Sequence, residues 1–130
     1  MESTKDLPHL TPAELDVMKV LWSAERLSAR EVHDRLAEKQ GWAYSTTRTT
    51  LERMVKKGLI TKKAFHGLHI YEPRISRAMG LAKMVKDFAG EVLEMDYAPV
   101  VSLFAKSNAL TREELTELRR LLEKPAGGED

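Results

Sequence analysis

The chain has no cysteine among its 130 residues. That excludes disulfides, thiolate sites for zinc or copper and a cysteine nucleophile, and it fits a reducing cytoplasm, where the protein is expected to work. Aromatic residues make up only 6% of the chain, so a core has to be built mainly from Leu, Val, Ile and Met. No stretch approaches the ~20 apolar residues that span a bilayer, and no membrane insertion is expected. Met1–Lys5 leads into Asp6-Leu7-Pro8-His9 without an apolar run, so no secretory signal is expected either. Signatures of catalysis are also missing: there is no phosphate-loop glycine pattern, no G-x-S-x-G, no H-E-x-x-H and no dinucleotide fingerprint. The expectation is a protein that is not an enzyme and needs no cofactor.

What the chain does have is 42% hydrophobic and 32% charged residues, enough for one modest core with an appendage. The net charge of +1 hides an asymmetry: residues 42–86 hold ten Lys and Arg against two acids, Glu52 and Glu72, whereas residues 91–130 hold five bases against nine acids. A basic middle of net +8 followed by a stretch of net −4 points to one part that meets a polyanion and another with a different task.

The local signals give an ordered set of elements. Thr11-Pro12-Ala13-Glu14 is a capping box with Pro at the first helical position, and Leu15, Met18, Leu21 and Trp22 give the helix to about Ser23 one buried face. Ser28-Ala29-Arg30-Glu31 repeats the box; its helix, with Val32 and Leu36 inward, stops at Gly41. A third helix opens on Tyr44-Ser45-Thr46-Thr47-Arg48-Thr49-Thr50, an unusual run of weak helix formers. Thr47, Leu51 and Met54 share one face and read as core; Thr46, Thr49 and Arg53 share another, with Ser45 and Arg48 beside it, and read as a polar reading head. Leu59–Phe65 and Leu68–Glu72 form a hairpin around His66-Gly67, with Pro73 breaking the second strand. A mostly helical stretch from Ile75 to about Met95, a short helix Val100–Lys106 opened by Pro99, and a third capping box, Thr111–Glu114, leading a Leu-rich last helix complete the chain.

Helix, helix, hydroxyl- and Arg-rich helix, basic hairpin: this order describes a winged helix-turn-helix, and the fold class is α+β, mostly helical, with C-terminal dimerisation helices. The expected organisation is residues 1–74 as the DNA-binding domain, 75–124 as the dimerisation region and 125–130 as a tail. The third helix would enter the major groove, ~12 Å wide. Arg48 or Arg53 would fork onto guanine; Ser45, Thr46, Thr49 and Thr50 would meet phosphates or thymine methyls; Lys62 and Lys63 would lie along the backbone.

The ordered set Leu10–Met18, Leu21-Trp22, Arg30–Val32, Ala43–Met54, Lys57–Ile60 and Gly67–Pro73, with a weaker stretch through Leu103–Ala105 and Leu110–Leu118, resembles the BlaI/MecI penicillinase-repressor family over about residues 9–123. The resemblance implies a homodimeric repressor whose winged helix binds a palindromic operator, with Ser45, Thr46, Arg48, Thr49 and Arg53 aligned to the DNA contacts. It also implies a membrane sensor metalloprotease system that triggers cleavage of an Asn-Phe bond; the aligned bond here is Leu103-Phe104, where Leu replaces Asn. The copper-sensing branch uses a C-terminal cysteine cluster, which this chain lacks.

The residues of the C-terminal part support a partner on their own terms. Val100, Val101, Leu103, Phe104, Leu115, Leu118 and Leu122 offer more apolar surface than a thin helical tail is expected to bury, and a second copy is the simplest cover. The alternative is that they fold back on the chain itself. For function, two alternatives stand beside the repressor: a MarR-like regulator released from DNA by a small molecule, and a winged helix that binds protein only. His66 and His69 have H-x-x-H spacing, but with Glu72 the only nearby acid no metal site is expected, and contact of the hairpin with DNA or solvent is the expected use. His9 and His33 read as surface or cap residues, Trp22 as a core anchor, Trp42 as packing between the second and third helices, and the six Met residues as core.

Overall fold

A computed structural model describes residues 7–92 and 96–123. The chain divides into two compact units: Leu10–Ser76, and a second made of residues 7–9 together with the chain from Arg77 onward.

The first unit contains helices α1 (Pro12–Ala24), α2 (Ala29–Gln40) and α3 (Tyr44–Lys56) and strands β1 (Leu27–Ser28), β2 (Ile60–Phe65) and β3 (Leu68–Pro73). Both expected capping boxes are formed. In each, the Thr11 or Ser28 hydroxyl accepts from the N–H three residues on, while Glu14 or Glu31 accepts from the cap's own N–H. Gly41 ends α2 in the left-handed conformation at φ 68°, where a side chain is disfavoured.

The sheet is antiparallel in the order β1-β3-β2. The hairpin turn holds His66 and Gly67 both at positive φ, 50° and 81°, a two-residue turn whose twist matches the strands it joins. Pro73 closes the second strand opposite Ile60 and does not cut it short; at a strand's last residue its missing N–H is tolerated. The two-residue β1 escapes the sequence because two residues carry no period. Val17, Met18, Leu21, Val32, Leu51, Met54, Leu59, Ile60 and Tyr71 form the core. Trp22 is half-buried and ties α1 to the end of the unit, its Nε1 donating to the Ile75 carbonyl at 3.0 Å.

The second unit holds α4 (Arg77–Asp87), a π-helical turn (Phe88–Val92), α5 (Ala98–Ser107) and α6 (Arg112–Glu123). The mostly helical stretch expected from Ile75 to about Met95 is thus a helix ending at Asp87 followed by a wider turn containing Gly90; residues 93–95 lie outside the described residues. Gly80 is buried inside α4. Small residues on α4 (Ala78, Ala82) let it lie close to Leu118, Leu121 and Leu122 of α6, with Val100 and Val101 of α5 completing the cluster. Glu114 fastens this unit. It caps α6 through the Thr111 N–H at 2.8 Å and receives both Nε and Nη2 of Arg77 at 2.9 and 2.7 Å.

Candidate nucleic-acid interface

Five residues of α3 are Ser or Thr, each roughly 0.5 kcal/mol worse than Ala inside a helix. Packing outweighs this. Leu51 and Met54 are fully buried, each contributing ~1.5–3 kcal/mol relative to exposure. Thr47 is buried as well, and its Oγ1 lies 2.9 Å from His33 Nδ1 on α2. His33 is therefore not the surface or cap residue the sequence suggests. Its ring also meets Tyr44 edge-on, and the Arg30 guanidinium lies over the Tyr44 ring, 4.0 Å from its centre. α2 and the start of α3 are locked together by these contacts.

With that face buried, Ser45, Thr46, Arg48, Thr49 and Arg53 all stand exposed on α3. Thr50 does not join them: it is buried, and its hydroxyl donates to the Thr46 carbonyl at 2.8 Å. The sequence reading counted Thr50 among the available hydroxyls, but four residues on from Thr46 the side chain turns back along the helix. The N-cap position is Ala43, which offers no side-chain acceptor; the Thr46 N–H turns to the Ala43 carbonyl at 3.0 Å, and the Tyr44 and Ser45 N–H groups ahead of it lie where the helix dipole favours an anion.

The hairpin is joined to α3 by Glu52. Its carboxylate accepts from the Tyr71 hydroxyl at 2.8 Å and from Lys62 Nζ at 3.1 and 3.2 Å. The Tyr71 hydrogen bond and then Lys62 hold Glu52 below the ordinary carboxylate range. Burial first, and then the Glu52 charge, push the Tyr71 hydroxyl up, so it stays a protonated donor. Lys63 pairs with Glu72 across the strands at 2.9 Å. Thus the two acids of the basic segment each face one hairpin lysine. Both lysines remain exposed, and exposed pairs contribute about 0–1 kcal/mol, so either ammonium can exchange its carboxylate for a phosphate at small cost. Sequence reasoning missed Glu52 and Tyr71; the signal present was a lone acid one turn after Arg48.

The C-terminal side of α3 is anchored through Lys57, whose Nζ lies 2.9 and 2.7 Å from the two oxygens of buried Glu14. Burial raises the Glu14 carboxyl, but Lys57 and the Thr11 N–H together outweigh it and the group titrates below its ordinary value.

In the second unit, the residues expected at a dimer interface separate into two sets. Val100, Val101, Leu118 and Leu122 are buried within the unit itself, Phe104 and Leu115 are half-buried, and Leu103 is 65% exposed. The fold-back alternative therefore holds for the first four, because α4 supplies a small-residue face that the sequence did not reveal. Phe88, 47% exposed on the π-helical turn, is a further apolar surface group. The Leu103-Phe104 bond lies within α5. His66 and His69 are exposed, and among the described residues no group of three or more His, Asp or Glu is placed to hold a metal.

A family model described as "Penicillinase repressor" matches residues 10–124. The chain belongs to the penicillinase repressor family. Among relatives of this family member, the penicillinase repressor of Bacillus licheniformis is 28% identical over 120 residues, 92% of this chain and 94% of the relative. The methicillin resistance regulatory protein MecI of Staphylococcus aureus is 27% identical over 115 residues, 88% of this chain and 94% of the relative. The solution structure of the DNA-binding domain of the repressor BlaI is similar with a TM-score of 0.51 and 31% identity, covering 57% of this penicillinase-repressor chain and 90% of that domain. The same values hold for the Bacillus licheniformis BlaI monomeric form in complex with the blaP half-operator.

Proposed function

We propose that this chain is a DNA-binding transcriptional repressor of the penicillinase-repressor type, acting as a homodimer on a palindromic operator. The observation that carries the reading is the exposed set Ser45, Thr46, Arg48, Thr49 and Arg53 on a helix whose opposite face is fully buried, in a chain whose winged-helix part resembles a domain solved with a half-operator. In this reading α3 lies in the major groove, Arg48 or Arg53 forks onto a base edge, and the hydroxyls and hairpin lysines hold phosphates. Residues 10–76 carry twelve Lys and Arg against eight acids, an excess of four bases that supports attraction to the duplex.

The homodimer rests on Leu103, with Phe104 and Leu115 beside it in sequence or half-exposed, and on the gain in affinity when two half-sites are engaged together. Half-sites are expected about 10–10.5 base pairs apart centre to centre, or a small multiple. Release by a sensor-triggered protease at Leu103-Phe104 would require α5 to unwind locally, since a helical peptide bond is not extended for a protease cleft; Leu at the position of Asn separates this bond further from the resembled site.

The test is selection of sites from random duplex DNA with the full chain at two salt concentrations. A two-fold symmetric site whose binding falls steeply with salt is expected. No enriched site would overturn the repressor reading in favour of a protein-binding winged helix.

A further inference from the structure

A cleft of about 250 Å³ opens between the start of α2, the first turns of α3 and the hairpin, lined among others by Arg30, Tyr44, Arg48, Gly67, His69 and Tyr71. None of its lining residues is acidic. The sheet register builds it: Ser28 pairs with Ile70, which sets the first turn of α2, and so Arg30, alongside His69 on β3. Arg30 is held by its face, 4.0 Å over the Tyr44 ring. A guanidinium stacked in this way keeps its in-plane N–H donors free for a planar or tetrahedral oxyanion. Among the described residues neither Arg30 nor Arg48 makes an ion pair. Glu52 feels the Arg48 charge, but its hydrogen bonds go to the Tyr71 hydroxyl and Lys62.

Two unpaired guanidiniums and an imidazole around a small cavity without carboxylates select an anion. The volume is below the ~300–1,000 Å³ typical of small-molecule pockets and is enough for a phosphate group. Arg48 belongs both to this cleft and to the exposed face of α3, so a nucleic-acid strand running along α3 passes its mouth.

We propose that the cleft seats one backbone phosphate of the bound strand, with Arg30 and Arg48 as its donors and His69 closing it from the hairpin. This rests on the repressor reading above and adds Arg30 and His69 to the binding machinery. One phosphate held from both α2 and the hairpin fixes the register of α3 in the groove. Arg48 then acts on the backbone, and base discrimination falls to Arg53.

The test measures binding of the full chain to its selected operator and to an unrelated duplex across a salt series. Arg30→Ala is expected to weaken both complexes by a similar factor, about tenfold, and to lower the salt slope by about 0.9. Arg30→Ala also removes the stacking on Tyr44, so its urea midpoint is measured alongside and is expected to stay close to that of the unaltered chain; His69→Ala, clear of that contact, provides a second variant with a smaller loss of the same kind. Operators carrying one neutral methylphosphonate at successive positions should reveal one position per half-site at which Arg30→Ala causes no further loss. A loss that persists at every position, a loss confined to the operator sequence, or no loss at all overturns the clasp while leaving the repressor reading intact. Failure of the unaltered chain to bind any duplex overturns both. Shifts of the Arg30 and Gly67 amide signals on titration with inorganic phosphate alone, with DNA binding of Arg30→Ala unchanged, would assign the cleft to a free anion and also overturn the proposal.

Discussion

Arg53 and Thr50 sit three residues apart on one helix and have opposite fates. Arg53 is exposed on the face of α3 beside Thr46 and Thr49, whereas Thr50 is turned inward and bonded to the Thr46 carbonyl. A base-forking arginine contributes ~1–3 kcal/mol of discrimination. Arg53→Ala should therefore lose about tenfold or more in operator affinity while its affinity for unrelated DNA changes far less, as measured by competition binding. Thr50→Ala should leave operator affinity within about twofold, because its hydroxyl is already used inside the helix. Equal losses on operator and unrelated DNA for Arg53→Ala would remove it from base reading.

At the scale of elements, capping-box glutamates do a second task. Glu14 closes the first turn of α1 and receives Lys57 from beyond α3; Glu114 closes α6 and receives Arg77 from α4. In both the carboxyl titrates below its ordinary value of 4.5: burial of Glu14 is outweighed by Lys57, and Glu114 is lowered first by its Arg77 hydrogen bonds. A carboxylate whose folded value is depressed contributes stability that is complete above the unfolded value and drains as pH falls through the folded one. Urea midpoints of the full chain should thus decline as pH drops below about 4.5. Lys57→Met should cost roughly 2–3 kcal/mol near neutrality, because it strands a buried carboxylate, and should flatten the acid-side decline. A midpoint unchanged at neutral pH would show that the pair holds nothing.

These same elements show what a single sequence discloses. The three capping boxes, the apolar spacing of Thr47, Leu51 and Met54 and the hairpin turn are local patterns, and each is found where its residues place it. The resemblance carried the functional reading, and the family match supports it. Long-range partners were hidden: nothing local reveals that Lys57 meets a glutamate 43 positions earlier, that Tyr71 meets Glu52, or that a two-residue strand joins the sheet. The burial of Val100 and Leu118 was hidden for the same reason, since it depends on Ala78 and Ala82 of another helix being small.

For the whole molecule, the proposed homodimer raises the question of where two copies would meet. The dimer proposal has to use the apolar groups that each protomer leaves exposed, and Leu103 at 65% is foremost among these in the second unit. Leu103→Glu should shift sedimentation toward the monomer, leave the far-ultraviolet spectrum unchanged, and weaken binding to a full palindrome far more than to a single half-site. Leu118→Asp is a poor probe of association, because Leu118 is fully buried and an unpaired charge there would destabilise the protomer itself. A Leu103→Glu protein that remains dimeric would move the interface away from α5.

The pairing of β1 with β3 involves only main-chain groups of Leu27 and Ser28 against Ile70 and Tyr71. Bonds of that kind are indifferent to which side chains project from the strands. The outward residues of the hairpin can therefore be exchanged, one repressor to the next, without unfastening the frame that carries them. The grip on the DNA backbone in such a chain can be tuned by substitution on the hairpin while its architecture stays in place, whereas redirecting the protein to a new operator falls to α3.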